Sequence, residues 1–82
     1  MNLELHILDS LRALPSHLMM PVETLWGEVR MKMVPRPSRP DFDHALRALE
    51  DTKKQIVVIN GEDQSRAKIT DLGTARLHEA NS

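Results

Sequence analysis

In this sequence, the basic residues have the type and spacing that best suit a binding function. The one basic run lies between residues 30 and 39, where no acidic residue interrupts it. Its members are Arg30, Lys32, Arg36 and Arg39. Cations clustered in this way are suited to contacts with phosphate groups. The whole chain, however, has a formal net charge of −1, whereas domains dedicated to nucleic acid are often strongly basic.

Metal binding and catalysis are not indicated by the remaining polar residues. No two histidines have the short spacing that places two imidazoles on one helical face or turn. The histidines are His6, His17, His44 and His78. The chain has no cysteine, and it lacks a glycine-rich phosphate loop and a nucleophile motif. We therefore expect no metal ion, no cofactor and no enzymatic activity.

Length and composition predict a single globular domain over residues 1–82. Hydrophobic residues make up 40% of the chain and charged residues 28%, which is ordinary for a folded domain. Trp26 and Phe42 are the only aromatic residues, so the core must be mainly aliphatic. The amino terminus lacks the basic start and unbroken apolar stretch of a signal peptide, and no segment approaches a membrane span. These features predict a soluble, cytoplasmic protein.

An amphipathic helix is predicted at the amino terminus. Apolar residues recur at steps of three and four over residues 3–14, so they share one helical face. Asn2 is suited to cap the start of this helix. Pro15 with Ser16 is expected to end it, because the residue before a proline resists helical geometry.

A second helix is expected to begin at Pro21, which suits a first turn, and to run to about residue 33. Its predicted buried stripe consists of Val22, Leu25, Trp26, Val29 and Met33. Met31 is expected to project away from this stripe, and an exposed methionine there would favour contact with a partner. Three prolines then force an extended connector: Pro35, Pro37 and Pro40.

The third helix is predicted from a capping pattern, in which Ser38 is followed three residues later by Asp41. Its expected core face consists of Phe42, Ala45, Leu46 and Leu49. Residues 56–59 and 66–70 then have the alternation and β-branched content of a hairpin. The loop between these strands contains Asn60-Gly61, two residues that tolerate a positive φ.

A closing helix is predicted after Thr70, which is suited to cap it. Leu72, Ala75 and Leu77 are expected to form its packed face. Gly73 either weakens this helix or permits a close approach of another segment.

This order of helices and hairpin resembles the winged-helix (winged helix-turn-helix) superfamily. Residues 42–57 look like a third helix that enters the wing, and residues 68–77 look like a second wing strand that enters the closing helix of small bacterial and phage regulators. The resemblance implies a mainly α fold with a small β-hairpin: three helices, a two-stranded wing and a C-terminal helix. The connector before helix three is long and rich in proline, where the superfamily usually has a tight turn.

In this superfamily, helix three commonly enters the major groove of duplex DNA while the wing contacts the backbone or minor groove. Cations and a hydroxyl at the approach to helix three would then contact phosphates. Two side chains on the helix would reach base edges, and two cations on the wing would also contact phosphates. The nucleic-acid-binding residues that the resemblance implies are Arg36, Ser38, Arg39, His44, Arg47, Arg66 and Lys68.

Two functions are therefore expected. The leading one is a DNA-binding transcription regulator that assembles as a homodimer. Under this hypothesis, Arg39→Ala and Arg47→Ala should weaken DNA binding without lowering thermal stability. The other is a protein-interaction adaptor that uses the same scaffold without binding DNA. Carboxylates on the presumed DNA face favour the adaptor, because they would confront a polyanion: Asp41, Asp43, Glu62 and Asp63.

Overall fold

Four α-helices and a three-stranded antiparallel sheet form the architecture of the protein, in a computed structural model that describes residues 2–15 and 17–81. The elements in chain order are α1 (Leu3–Arg12), β1 (Met20–Pro21), α2 (Val22–Lys32), α3 (Arg39–Arg47), a π-helical turn (Ala48–Thr52), β2 (Ile56–Asn60), β3 (Ser65–Ile69) and α4 (Asp71–Ala80).

The three predicted helix caps are confirmed. The side chains of Asn2, Ser38 and Thr70 each accept a hydrogen bond from the backbone N–H three residues later, at 2.9, 3.2 and 3.3 Å respectively. Each of these bonds satisfies an N–H that has no partner within the helix. The start of α1, α3 and α4 is therefore determined locally, by the residue that precedes the helix.

Two other helix boundaries differ from the prediction. Helix α1 ends at Arg12 rather than continuing to residue 14, and Pro15 follows it in the irregular segment. The other half of the predicted stop signal, Ser16, lies outside the described residues. Helix α2 begins at Val22, because Pro21 has extended backbone and belongs to a strand.

The predicted two-stranded wing is wrong in one respect: the hairpin belongs to a three-stranded sheet. Strands β2 and β3 pair antiparallel, and β1 pairs antiparallel with the other side of β3, which gives the order β1-β3-β2. Met20 faces Ala67 and Pro21 faces Arg66. A strand of two residues is too short to show an alternating pattern in the sequence. Its pairing depends on where the hairpin packs in the folded protein.

The tip of the hairpin also departs from the expected geometry. No glycine among the described residues has a positive φ, so the turn does not use Gly61 in a left-handed conformation. The N–H of Gly61 instead donates to the carbonyl of Gln64 at 3.0 Å. A Cβ at this position would lie 2.9 Å from that carbonyl oxygen, so the glycine permits a close approach of the backbone.

A single core is formed by one face of each helix and the inner face of the sheet. The predicted core residues of α3 and the π-helical turn are all buried: Phe42, Ala45, Leu46 and Leu49. Of the predicted stripe on α2, three residues are buried and Trp26 and Met33 are half-buried against the core. Met31 is 76% exposed, as its position on the helix predicted.

Helix α4 packs through a different face from the one predicted. Leu77 is fully buried, but Leu72 is 59% exposed and Ala75 is also exposed. The packed face instead contains Gly73, where a Cβ would lie 2.4 Å from the carbonyl oxygen of Gln55. Because glycine has no side chain, α4 approaches the start of β2 along the line of residues 73 and 77.

A group of charged side chains joins α1 to the segments that follow α3. The Glu4 carboxylate accepts hydrogen bonds from Lys53 at 2.5 Å and from Arg76 at 2.6 Å. Partial burial raises the pKa of Glu4, but the hydrogen bonds and positive charges of Lys53 and Arg76 outweigh it, so the net shift is downward.

We expect Gly73→Ala to lower the free energy of unfolding by about 1–3 kcal/mol, because the new methyl group would overlap the Gln55 carbonyl. Gly27→Ala is the matched control in α2, since a Cβ there has nothing within 4 Å. It should raise stability by about 0.5–1 kcal/mol through helix propensity. Urea denaturation measures both, and equal effects would contradict the close packing of α4.

We expect Glu4→Gln to destabilise the protein at neutral pH and to have progressively less effect in acid. The pKa of Glu4 is lowered on folding, so its contribution is present above the ordinary carboxyl pKa of 4.5 and is lost as the pH falls through the folded value. Thermal unfolding of both proteins between pH 7 and pH 3 measures this difference. A gap that stays constant over this range would show that the ion pairs do not contribute.

Candidate functional site

The surface between α3 and the hairpin forms an open cavity of about 500 Å³, called here the α3 groove. Three apolar side chains, one each from α2, α3 and β2, line it: Val22, Leu46 and Val58. Four carboxylates and two guanidiniums also line it: Glu23, Asp43, Glu50, Asp63, Arg39 and Arg47. These side chains come from elements distant in sequence, and the packing of α3 beside the sheet brings them together.

The guanidinium of Arg39 is held by two carboxylates in this groove. Its Nη1 and Nη2 donate to the two carboxylate oxygens of Glu23 at 2.8 and 2.7 Å, and its Nε donates to Asp43 at 2.9 Å. The hydrogen bond from Arg39 lowers the pKa of Glu23, and the bonds to both carboxylates raise the pKa of Arg39. A side chain predicted to bind phosphate is thus already bidentately paired within the protein.

Aromatic rings lie beneath the same guanidinium. The Cζ atom of Arg39 is 5.8 Å from the ring centroid of Trp26 and 5.6 Å from that of Phe42. The two rings are 5.1 Å apart and tilted by 49°. Cation–π contacts of this kind contribute about 0.5–1 kcal/mol at exposed sites. Arg39 therefore connects the start of α2, the start of α3 and the aromatic part of the core.

Most of the basic run between residues 30 and 39 has partners inside the protein. The Cζ atom of Arg30 lies 5.7 Å from the Trp26 centroid, and Lys32 Nζ donates to the buried hydroxyl of Ser10 at 3.2 Å. Among the described residues, Arg36 is the one cation of the run without such a contact. The run thus stabilises the packing of α2 more than it forms a surface for anions.

The charge of the α3 groove is negative. Four carboxylates against two guanidiniums leave an excess of two negative charges, and two of those carboxylates, Glu23 and Asp43, are paired with Arg39. A concave surface lined by one sign of charge concentrates ligands of the opposite sign. The groove is therefore electrostatically suited to cations and opposes the approach of phosphates.

The structure distributes the predicted site residues of α3 and its approach over several environments. Arg39 and Arg47 line the α3 groove, and Arg47 is exposed. The hydroxyl of Ser38 is occupied as the cap of α3. His44 and Arg36 are exposed outside the groove lining.

The two wing cations lie on another surface. Residues of β3 alternate between the two faces of the sheet, and Ala67 is buried on the inner face. Arg66 and Lys68 therefore belong to the outer face, which is opposite to the face that borders the α3 groove. Lys68 contributes to a second open cavity of about 430 Å³ on that side. The seven predicted residues do not form one continuous basic surface.

Of the four acidic residues in the groove, the sequence indicated Asp43 and Asp63 as carboxylates near the presumed DNA face, but not Glu23 and Glu50. Glu23 lies 16 residues before its partner Arg39, so no local spacing in the sequence links the two. Asp43 was detectable as a partner, because it follows Arg39 by four residues on the same helix. Glu50 carried no signal, since its proximity to Asp63 depends on the π-helical turn and the hairpin meeting at the groove.

No protein-family model matches the chain, and no curated protein or solved structure is detectably similar to it. Within residues 2–15 and 17–81, no helix has the length and apolar character needed to cross a bilayer. The same residues contain no group of three or more acidic, histidine or cysteine side chains placed to hold a metal ion.

The contacts of Arg39 change what its replacement is expected to do. Arg39→Ala should lower the free energy of unfolding by about 1–2 kcal/mol, because it removes two cation–π contacts of about 0.5–1 kcal/mol each. Arg47→Ala, on the same helix and without an ion pair in the described structure, should change stability by less than about 0.5 kcal/mol. Chemical denaturation compares the two, and equal stability of both variants would contradict the structural role of Arg39.

Proposed function

We propose that the chain is a winged-helix protein-interaction module whose α3 groove binds a cationic segment of another protein. The order of three helices, hairpin and closing helix supports the winged-helix assignment, together with the resemblance of residues 42–57 and 68–77. The observation that carries the function is the charge of the groove, whose lining combines four carboxylates and two guanidiniums with apolar side chains.

The lining of the groove defines the chemistry of the partner. Val22, Leu46 and Val58 offer apolar contact, and carboxylates from α2, α3, the π-helical turn and the hairpin loop surround it. A lysine or arginine side chain matches this lining, because its methylene stem packs on apolar atoms while its charged end meets a carboxylate. The proposed partner is therefore a segment in which basic and apolar residues are interspersed.

DNA binding is the second candidate, and the exposed cations favour it. Arg36, His44, Arg47 and Arg66 are exposed and make no ion pair in the described structure. Binding to duplex DNA would have to rely on them, since Arg39 is occupied. We place this function second because the carboxylates that border Arg47 in the groove would have to approach the phosphates as well.

Binding to two fluorescent probes distinguishes these functions. The purified chain is titrated against a peptide of alternating lysine and leucine and against a random-sequence DNA duplex, and anisotropy is recorded at several salt concentrations. We expect the peptide to bind, with an affinity that falls as salt rises, and the duplex to bind far more weakly. Tight duplex binding that weakens steeply with salt and is lost in Arg47→Ala would support the second candidate instead.

Neighbouring carboxylates provide the matched variants. Glu50→Lys reverses a charge in the groove and should weaken peptide binding by about tenfold. Asp51→Lys makes the same change in net charge at an exposed position outside the groove lining and should have little effect. Circular dichroism checks that both variants fold. Absence of peptide binding, or an equal loss in both variants, would overturn the proposed function.

A further inference from the structure

The two edges of the sheet differ in how they are protected. At one edge, β1 has only two residues, and one of them is Pro21, which has no N–H to donate. At the other edge, β2 has five residues, Ile56–Asn60, without a charged residue or a proline. Natural proteins usually block such an edge with a charge, a proline or a bulge, because an open edge pairs with other strands.

Two hydrogen bonds, one at each end of the β2–β3 hairpin, show which backbone groups of β2 point away from β3. The N–H of Thr70 donates to the Gln55 carbonyl and that of Gly61 to the Gln64 carbonyl, each at 3.0 Å. In an antiparallel ladder, hydrogen-bonded pairs alternate with non-bonded ones. Residues 57 and 59 therefore bond to β3, and residues 56, 58 and 60 direct their N–H and C=O groups away from it.

The side chains of the same strand leave apolar surface exposed. Val57 is 42% and Ile59 is 54% exposed, and both belong to the outer face of the sheet. These are two of the six large apolar side chains that the described structure exposes. An open backbone edge and exposed apolar side chains thus coincide in one strand.

We propose that β2 pairs antiparallel with β2 of a second copy of this chain, so that two sheets join into one of six strands. The pairing is centred on Val58, which faces itself across a twofold axis, and Ile56 faces Asn60 of the other copy. The Val58 pair can exchange two N–H···O bonds, because Val58 has outward backbone groups, whereas Ile56 is only 2% exposed and its backbone is covered within its own chain. Val57 then lies beside Ile59 of the second copy, so apolar side chains meet on the outer face.

Charge complementarity argues for a second copy as the occupant. Lys53 and Lys54 precede β2, and Glu62 and Asp63 follow it. In the register centred on Val58, Lys54 is carried towards Glu62 of the other copy, while Lys53 is already paired with Glu4 in its own chain. A parallel arrangement would instead bring like charges together. The strand is therefore complementary to itself in backbone groups, apolar side chains and flanking charge, as an isologous interface requires.

Sedimentation equilibrium of the full chain, from micromolar to near-millimolar concentration, tests this dimer. The proposal predicts a monomer–dimer equilibrium. Val58→Pro removes an N–H that faces outward, so it leaves the β2–β3 ladder intact and should abolish dimerisation. Circular dichroism checks that the variant folds. A chain that stays monomeric at every concentration would overturn the proposal.

A charge swap keeps the test decisive if Val58→Pro does not fold. Lys54→Glu and Glu62→Lys should each weaken the dimer by about tenfold, because the symmetric interface contains this charge pair twice. The double variant, with both charges exchanged, should recover most of the affinity. Dimerisation that none of these variants changes would show that the interface lies elsewhere. Val58 also lines the α3 groove, but neither Lys54 nor Glu62 does, so the charge variants test the dimer separately from the proposed function.

Discussion

The pairing of Arg39 with Glu23 is the polar contact on which the site beside α3 depends. It joins the first turn of α2 to the first turn of α3 with two hydrogen bonds between planar groups. The guanidinium also covers Trp26 and Phe42, so it closes the aromatic part of the core against water. The long proline-rich connector leaves the relative position of the two helices open, and this contact between their starts adds to the core packing that fixes it.

This constraint has a consequence for function. A cation that is bidentately paired and stacked on two rings offers little to a phosphate, since binding DNA would require breaking contacts that stabilise the fold. Arg30 and Lys32 are likewise in contact with Trp26 and Ser10. The one basic run of the sequence is therefore mainly structural, and the surface beside α3 is dominated by carboxylates. Electrostatics of this kind favour a cationic partner over a nucleic acid.

The sheet shows how a short β element can serve two purposes. Its inner face contributes Ile56 and Ala67 to the core, and Gly73 allows α4 to pack closely at the start of β2. Its β2 edge carries uncharged, partly exposed residues that are not part of the core. A core that is mainly aliphatic and contains a single phenylalanine gives a small domain limited apolar burial, and association along an open edge would add to it.

Local features of the fold followed from the sequence because they depend on residues close together in the chain. The caps Asn2, Ser38 and Thr70, the core face of α3 and the β2–β3 hairpin were predictable from capping chemistry and periodicity. The sequence alone also indicated that α2 presents Met31 to solvent, because helical spacing separates it from the buried stripe.

Only the tertiary structure decided the features that join distant segments. The addition of β1 to the sheet, the exposure of Leu72 and the Glu23–Arg39 pair each depend on how separate elements meet. No periodicity encodes such contacts, since a two-residue strand has no pattern and ion-pair partners can lie anywhere in the chain. The candidate site was therefore only partly visible: its cations, Asp43 and Asp63 could be read from the sequence, but Glu23 and Glu50 became their neighbours only on folding.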